Sequence, residues 1–436
     1  MRTRNISDFF KNELTDYSSY STIRMIASAI DGQKNSQRKI LHTALHKLKS
    51  STKVSVFDNQ MQSFTQYLHG SSAGVVSNMA ASYCGANALP LLKGEGNFGS
   101  RFVNDPAAPR YIYVSKPDYL DSLFDVRDVL VQQSFEGSTI EPLFYVPTIP
   151  LILVNGSLNG LASGFKQHIL PRKLEDIIAY YEGKKTELTP YIKGFKGTVE
   201  RDADNPSKWV FKGTISVHKN KVLITEIPPF IEYTKYLGIL DALQDAKKIR
   251  NYKDLSNVKT QEYKFEVSLP KELSSDKILE LLKLQKSEVE IYNAIDAQNR
   301  VRTFEGVEDI LDYFKEIRLE YLEKQRQYDI AAQNLELGIA ASKLKFVSMI
   351  MSEELVVFKR PKADIIRDLQ ATNLYKSTGA NCEYDYLLNL SIHSFTSETI
   401  KSLESKIMQI QTKLKELQSK KISEEFVKIL SQIDIK

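Results

Sequence analysis

The sequence predicts a multidomain α+β protein. We expect a winged-helix (helix-turn-helix) domain over residues 1–165, an α/β domain over 166–305, and a long antiparallel coiled coil with a small globular tip over 306–436. Three observations predict this fold. A chain of 436 residues is too long for one ordinary core, its apolar content of 42% is that of a folded protein, and its hydrophobic period changes twice along the chain.

The first domain begins with an apolar stripe at helical spacing that leads to a turn and then to a basic helix. The stripe consists of Ile23, Ile26, Ala27 and Ile30 and ends at Asp31–Gly32. The second helix carries Ile40, Leu41, Ala44, Leu45 and Leu48. Helix, glycine-bearing turn and basic helix is the outline of a helix-turn-helix module. The excess of Lys and Arg over residues 31–53 suits a polyanion, although a solvated helix face has the same composition.

The middle of the chain alternates between strand-like and helical runs. Strands are predicted at 210–217, at 221–227, where Pro228–Pro229 ends the run, and at 263–269. Apolar residues at helical spacing over 278–284 predict a helix. This alternation is typical of an α/β scaffold domain.

The last part of the chain carries two heptad patterns. The first consists of Ile310, Phe314, Ile317, Tyr321, Tyr328, Ala331 and Leu335. The second consists of Ile400, Leu403, Ile407, Ile410, Leu414 and Leu417. Two long helices joined by a compact segment that contains Pro361 predict an antiparallel coiled coil with a globular tip. Such arms occur in many classes of protein, so the heptads alone assign no function.

Several classes of site and location are excluded by pattern. We find no nucleotide-binding motif of the Walker or GHKL type and no acidic cluster that resembles a metal site. Cys84 and Cys382 lie far apart and in no metal-ligand spacing, which favours a reducing compartment. The amino terminus lacks the apolar region of a signal peptide, and the most apolar stretch, 143–154, is too short to span a bilayer.

Four short stretches of the first domain carry candidate chemistry. They read DGQKNSQRK at 31–39, YLHG at 67–70, GEGNFGSR at 94–101 and AAPRY at 107–111. Tyr111 is one of 22 tyrosines, and a G-x-G-x-x-G string is a weak nucleotide motif by itself. The candidate site therefore depends on the joint order and spacing of all four stretches.

A tyrosine can attack a phosphodiester if its proton is removed and the phosphate charge is neutralised. Arg110 stands next to Tyr111 and offers a planar fork of donors to phosphate oxygens. His69 is able to bind a phosphate or to move a proton, and Lys34 and Arg38 are able to hold the backbone. A phosphotyrosyl ester is close in energy to a phosphodiester, so this chemistry suits an enzyme that cuts a strand and later reseals it.

The order of these stretches resembles the breakage–reunion core of type IIA DNA topoisomerases, the family of gyrase and topoisomerase IV A subunits and of eukaryotic topoisomerase II. The family motifs D-G-x-K-P-x-Q-R-[RK]-[IV]-L, Y-H-H-G, G-x-G-[NQ]-F-G-[ST]-R and A-[AS]-x-R-Y resemble, in this order, residues 31–41, 67–70, 94–101 and 107–111. The similarity continues at 149–156, 160–164, 194–198, 224–228 and 385–388. The resemblance implies that the three predicted domains are a DNA-gate domain, a tower domain and an exit gate.

The resemblance also implies roles for single residues. Tyr111 would be the nucleophile, Arg110 would stabilise the transition state, and His69 and Arg38 would complete the catalytic set. Leu161 would wedge between base pairs and bend the DNA. The remaining DNA contacts would come from Lys34, Arg38, Lys39, Asn97 and Arg101.

Three positions depart from the family pattern. Asn35 replaces the proline that usually follows the motif lysine, which loosens the turn. Leu68 stands where the first histidine is usual, so the role of that histidine is absent or moved. Leu161 replaces the usual isoleucine, with a similar volume for the wedge.

The resemblance implies that the cofactors are held by partner chains. We expect Mg²⁺ to be bound by a TOPRIM subunit and ATP by an ATPase subunit. This chain would form a homodimer within a hetero-oligomer on double-stranded DNA, with no membrane contact. A short cleavage chain without a DNA-wrapping domain resembles the separately encoded subunits of T4-type bacteriophages. This predicts relaxation or decatenation of DNA in the cytoplasm of a bacterial host.

Two other functions are compatible with parts of the pattern. A tyrosine recombinase or relaxase also uses a tyrosine on DNA, but recombinases place it near the carboxyl terminus and relaxases need paired metal-binding histidines. A DNA-binding scaffold of the same fold would be expected to lack Tyr111 or Arg110, and this chain has both.

Overall fold

The computed structural model describes residues 5–185, 187–377 and 383–432, and Cys382 lies outside them. The helices are α1 Ile6–Phe9, which continues as a π-helix over Phe10–Leu14, α2 Thr15–Met25, α3 Asn35–Lys47, α4 Val54–Phe64, α5 Ala73–Ala80, α6 Leu120–Leu123, α7 Leu151–Val154, α8 Leu174–Tyr181, α9 Tyr233–Asp245, α10 Ser275–Leu281, α11 Val307–Met351, α12 Lys362–Gln370, α13 Asp385–Leu388, a 3₁₀-helix Ile392–Ser394, α14 Ser397–Ser419 and α15 Ile422–Gln432.

The strands are short and antiparallel within their sheets. They are β1 Thr52–Lys53, β2 Lys93–Glu95, β3 Tyr113–Ser115, β4 Ser134–Phe135, β5 Ser138–Thr139, β6 Ser157–Ala162, β7 Phe165–Ile169, β8 Thr198–Arg201, β9 Lys208–Lys212, β10 Thr214–His218, β11 Lys221–Glu226, β12 Asn251–Asp254, β13 Phe265–Ser268, β14 Gln285–Val289, β15 Asn293–Ile295 and β16 Val301–Thr303. The predicted mixture of helices and sheets is confirmed.

The chain forms two compact units. The first contains residues 1–319 together with 426–436, and the second contains 320–425. The predicted boundary between residues 165 and 166 falls inside the first unit, so the division into three domains stays a prediction.

The predicted helical stripe from Ile23 to Ile30 is wrong beyond Met25. Helix α2 ends there because Ile26 is extended, with φ −99° and ψ 132°. The following residues join the sheet region instead: Ser28 bridges Ile295, and the amide of Ala29 donates to the carbonyl of Ile295 at 2.9 Å. Ala27, Ala29 and Ile30 are thus buried through this pairing and the turn that follows it, and not through a helix face.

The basic helix predicted after the turn is α3, and its apolar face is buried. Beside it, β3 lies between β1 and β2 in a small sheet. Strand β1 ends at Lys53 and α4 begins at Val54, so the strand and the helix are joined without a loop. This arrangement fixes the segment that precedes β3.

The middle of the first unit contains a sheet in the order β10-β11-β13-β12, covered by α9 and α10. Its core includes Val222, Ile224, Phe265, Val267, Tyr236, Leu240 and Ile278. The single strand predicted at 210–217 is wrong, because β9 and β10 belong to different sheets and are separated at Gly213. A Cβ at Gly213 would lie 2.4 Å from the carbonyl oxygen of Glu226, so a side chain has no room at this break.

The second unit consists of helices. Ala340 of α11 packs with Ile410 and Leu414 of α14, and the last two are predicted heptad positions. A separate core at the tip is formed by Phe346, Leu355, Ile365, Leu369, Leu374, Tyr384 and Leu387. The long helices are confirmed as helices, and their pairing as a coiled coil stays a prediction.

Candidate active site

Tyr111 lies in a turn immediately before β3. Its amide donates to the carbonyl of Ala108 at 2.9 Å, which closes the turn. The start of α4 holds this turn from the other side, because the amide of Ser55 donates to Pro109 O at 3.2 Å and that of Val54 to Ile112 O at 3.0 Å. The backbone of the Arg110–Tyr111 dipeptide is therefore fixed at both ends.

The side chains of this turn face solvent. Tyr111 is 66% exposed, and its hydroxyl makes no hydrogen bond within the part of the chain that the structure describes. The guanidinium carbon of Arg110 lies 4.7 Å from the centre of the Tyr111 ring. Across the described residues Arg110 has no carboxylate partner, so its donors are free for an incoming anion. The turn thus presents a free phenol and a free cation side by side.

The loop 94–107 stands next to this turn and is held by Asn97. The carbonyl of Asn97 accepts from the amide of Ala107 at 2.9 Å, and its side-chain oxygen accepts from the amide of Gly99 at 3.0 Å. Gly99 has φ +90°, and a Cβ there would lie 2.4 Å from Asn104 O, so the loop requires glycine. Phe102 enters the core of the α/β region and anchors the loop.

His69 lies on the surface and contacts α2 instead of Tyr111. Its Nε2 forms a hydrogen bond with the Tyr20 hydroxyl, and its Nδ1 lies 3.4 Å from Nη1 of Arg24. Arg24 also donates to the Tyr20 hydroxyl at 3.0 Å. The structure therefore brings His69 together with two residues that the sequence did not single out. Among the described residues, no hydrogen bond links His69 to Tyr111.

Arg38 lies in a buried ion pair with Asp31. Its Nε donates to Asp31 Oδ2 at 2.6 Å and its Nη2 to Oδ1 at 3.1 Å, and the side chain is 9% exposed. The amide of Tyr145 also donates to Asp31, at 3.0 Å. Burial lowers the pKa of Arg38, but the Asp31 carboxylate more than offsets this, and the net pKa lies above its ordinary value. With a further bond from Nη2 to the carbonyl of Gln33 at 3.2 Å, the guanidinium uses three of its five N–H donors on groups of its own chain.

Lys39 and Arg101 are also paired with carboxylates. The ammonium of Lys39 lies 2.8 Å from Glu141 and donates to Thr65 O at 2.9 Å. Arg101 forms a two-point pair with Glu226, and its guanidinium stacks on the ring of Tyr263. Burial lowers the pKa of Arg101, whereas its hydrogen bond to Glu226 raises it above the ordinary value. Neither cation presents a free donor set to solvent.

The other two predicted DNA contacts are accessible. Lys34 is half-buried at the start of α3, and burial lowers the pKa of its ammonium. No ion pair holds it within the described ranges of the chain. Leu161 is 60% exposed on the β6–β7 hairpin, opposite Lys166, and Phe165 at the same tip is 40% exposed.

The residues around Tyr111 do not form a metal centre. Within the part of the chain that the structure describes, no group of three or more His, Cys, Asp or Glu side chains is arranged to hold a metal ion. In the same residues no helix is long and apolar enough to cross a bilayer.

Comparison with known proteins identifies the family. The family model for the A subunits of DNA gyrase and topoisomerase IV matches residues 24–435. The chain belongs to this family. The predicted resemblance to the breakage–reunion core of type IIA DNA topoisomerases is thereby confirmed.

Two DNA topoisomerase 2 proteins are similar to this chain over most of its length. DNA topoisomerase 2 of Invertebrate iridescent virus 6 is 30% identical over 426 residues, which cover 92% of this chain and 36% of that protein. The mitochondrial DNA topoisomerase 2 of Dictyostelium discoideum is 29% identical over 92% of this chain and 33% of its own length. This chain spans about a third of the length of these relatives.

A solved structure agrees with the fold. The DNA-binding, cleavage and re-ligation domain of Plasmodium falciparum topoisomerase II superimposes with a TM-score of 0.83 at 27% identity. The match covers 97% of this chain and 63% of that one.

Proposed function

We propose that this chain is the DNA-cleaving and rejoining subunit of a type II DNA topoisomerase. The phenol oxygen of Tyr111 attacks a DNA phosphorus atom and forms a 5′-phosphotyrosyl ester, while the bond from phosphorus to the 3′ oxygen breaks. The phenol proton passes to a base or water, and the released 3′ oxygen takes up a proton. Attack of the 3′ hydroxyl on the ester reverses these steps and reseals the strand after a duplex has passed through.

The observation that carries this proposal is the Arg110–Tyr111 turn. A free phenol beside an unpaired guanidinium on a fixed backbone is what such an attack needs, because Arg110 neutralises charge that builds up on the phosphate. Arg38, Lys39 and Arg101 support the reaction indirectly, since each is held by a carboxylate within the fold. They position the segments on which Lys34, Asn97 and Tyr111 lie.

We propose that the β6–β7 hairpin bends the DNA. Leu161 and Phe165 expose apolar surface at its tip, which suits insertion between base pairs. Unstacking one base step costs a few kcal/mol, and the added contacts of a bent duplex offset this cost.

The active enzyme requires partner chains under this proposal. Mg²⁺ and ATP are bound by TOPRIM and ATPase subunits, and the metal supplies positive charge at the phosphate when bound. Two copies of this chain pair through the tip of the second unit, where Val356, Phe358 and Ile392 are exposed by 53%, 75% and 82%. The assembly relaxes or decatenates DNA, and the bacterial cytoplasm remains its predicted location.

The experiment is covalent trapping with a tyrosine pair. The chain is reconstituted with the ATPase and TOPRIM subunits, mixed with DNA and Mg²⁺, and quenched with detergent. Tyr111→Phe is expected to abolish covalent protein–DNA adducts. Tyr113→Phe is the matched control, because Tyr113 follows in β3 and is itself 37% exposed. This control is expected to form adducts as the wild type does.

Other outcomes separate the alternatives. Adducts that persist in Tyr111→Phe would assign the nucleophile to another tyrosine, as in a different strand transferase. DNA binding by the assembled wild type without any adduct would indicate a scaffold. Adducts formed by this chain alone with Mg²⁺ would show that the metal is not supplied by a partner.

A further inference from the structure

Three side chains form a connected group on the surface near the start of α3. Arg24 donates to the Tyr20 hydroxyl at 3.0 Å and faces His69 Nδ1 at 3.4 Å, and the Tyr20 hydroxyl is bonded to His69 Nε2. Tyr20 is 48% exposed. Tyr20 and Arg24 are four residues apart on α2, so one helix face presents both.

The donor rules fix the direction of each bond. A guanidinium only donates, so His69 Nδ1 must be the acceptor in its contact with Arg24. A neutral imidazole then carries its proton on Nε2 and donates it to the Tyr20 oxygen. That oxygen therefore accepts twice, once from Arg24 and once from His69. The proton of Tyr20 is left to donate, and it has no acceptor within the described residues.

The surroundings of this proton suit an anion. A cavity of about 270 Å³ lies beside the group, and its lining combines Tyr20, Arg24, Asn35 and His69 with apolar side chains, namely Ile23, Leu68, Phe135 and Ile140. Asn35 is the first residue of α3, and the amino end of a helix of 13 residues carries partial positive charge. Arg24 forms no ion pair with a carboxylate in the described part of the chain. The vacant donor, the cation and the helix end all favour a bound oxyanion.

We propose that the Tyr20 hydroxyl donates a hydrogen bond to a non-bridging oxygen of a DNA phosphate. This inference rests on the proposed function, because that function supplies the DNA. Both nitrogens of His69 are engaged within the chain, so His69 is a positioning residue that orients Tyr20. The neighbouring Leu68 is 77% exposed but apolar and offers no donor.

The test compares binding of the full chain to a fluorescent DNA duplex and to duplexes that each carry one methylphosphonate. The variants are Tyr20→Phe, which removes only the hydroxyl, and His69→Ala. Tyr17→Phe is the matched control, since Tyr17 lies on the same helix, is 64% exposed and has no hydrogen bond among the described residues.

We expect one methylphosphonate position to weaken wild-type binding more than its neighbours do. Tyr20→Phe is expected to bind unmodified DNA about tenfold more weakly. In this variant the methylphosphonate at that position should weaken binding no more than the methylphosphonates at neighbouring positions do. His69→Ala should keep part of the positional effect, because it disturbs the orientation of Tyr20 and leaves the hydroxyl in place. Tyr17→Phe should behave as the wild type does.

A positional effect that is unchanged in Tyr20→Phe would overturn the proposal. If the effect is unchanged in Tyr20→Phe but disappears in His69→Ala, the phosphate ligand is His69. Covalent trapping at Tyr111 reports separately on the proposed function. If Tyr20→Phe loses the positional effect but the wild type forms no covalent adducts, the phosphate contact stands and the proposed cleavage is wrong. If the wild type forms adducts but Tyr20→Phe keeps the positional effect, cleavage stands and the phosphate contact is wrong.

Discussion

The Arg110–Tyr111 turn and the basic helix α3 both carry motif residues, but they treat their cations in opposite ways. Arg110 is exposed and has no carboxylate partner among the described residues. Arg38 and Lys39, in the first turns of α3, are buried and bonded to Asp31 and Glu141. Under the proposed function, arginine therefore binds the DNA phosphate in one region and stabilises the fold in the other.

A basic motif can therefore contain cations with different roles, and their burial and partners distinguish them. A buried cation that is bonded to a carboxylate has fewer donors left for a phosphate than an exposed cation without a carboxylate partner. Removing a buried cation leaves its carboxylate without a partner, and that penalty appears as lost stability. Substitutions in the Arg110–Tyr111 turn should therefore change the rate of cleavage, whereas substitutions of the buried cations of α3 should change the free energy of unfolding.

The largest effect is expected at Arg110. Arg110→Ala should slow formation of the covalent adduct by about 1000-fold, equivalent to about 4 kcal/mol, because it removes a donor from the charged transition state. The temperature of thermal unfolding should not change, since the side chain is exposed and unpaired. Single-turnover trapping measures the rate, and calorimetry measures the stability.

Arg250→Ala is the control for Arg110. Arg250 is also exposed, and among the described residues its guanidinium donates only to a backbone carbonyl, that of Pro270, at 3.2 Å. A rate loss of the same size in Arg250→Ala would mean that general positive charge, and not the position of Arg110, assists cleavage. An Arg110→Ala protein that unfolds at a much lower temperature would break the comparison between the two regions.

A smaller effect of a different kind is expected at Arg38. Arg38→Ala should lower the free energy of unfolding by about 3 kcal/mol, because Asp31 is buried and would lose its two-point partner. Lys49→Ala serves as control, since Lys49 is exposed and just beyond the same helix. Denaturant unfolding of both variants provides the measurement. A fully stable Arg38→Ala protein that binds DNA poorly would return Arg38 to the DNA-contacting set.

The sequence predicted the local structure wherever a single period decides it. The long apolar repeats predicted α11 and α14, and the apolar run that ends at Pro228 predicted β11. It failed where tertiary contacts compete with the period. The helix ends at Met25 because Ser28 and Ala29 pair with Ile295, and the run through Gly213 is split because the chain changes sheets there.

The candidate site was predicted in part. Order and spacing of the motifs select Arg110 and Tyr111, and their exposure agrees with that selection. The burial of Arg38, Lys39 and Arg101 was missed. For Lys39 and Arg101 the carboxylate partners lie 102 and 125 residues away, and no local pattern reports such pairs. For Arg38 the signal was present, because Asp31 lies only seven residues before it.

The smallest effect separates two lysines that stand five residues apart. Lys34→Ala should weaken DNA binding a few-fold and reduce the slope of log affinity against log salt by about 1, as expected for one lost phosphate contact. Lys39→Met should leave that slope unchanged and lower the unfolding temperature, because Glu141 would lose the ammonium at 2.8 Å. Titrations at several salt concentrations measure both slopes. Equal changes of the salt slope in the two variants would mean that Lys39 leaves Glu141 when DNA binds. Burial in the free chain would then no longer distinguish the cations that bind DNA from those that stabilise the fold.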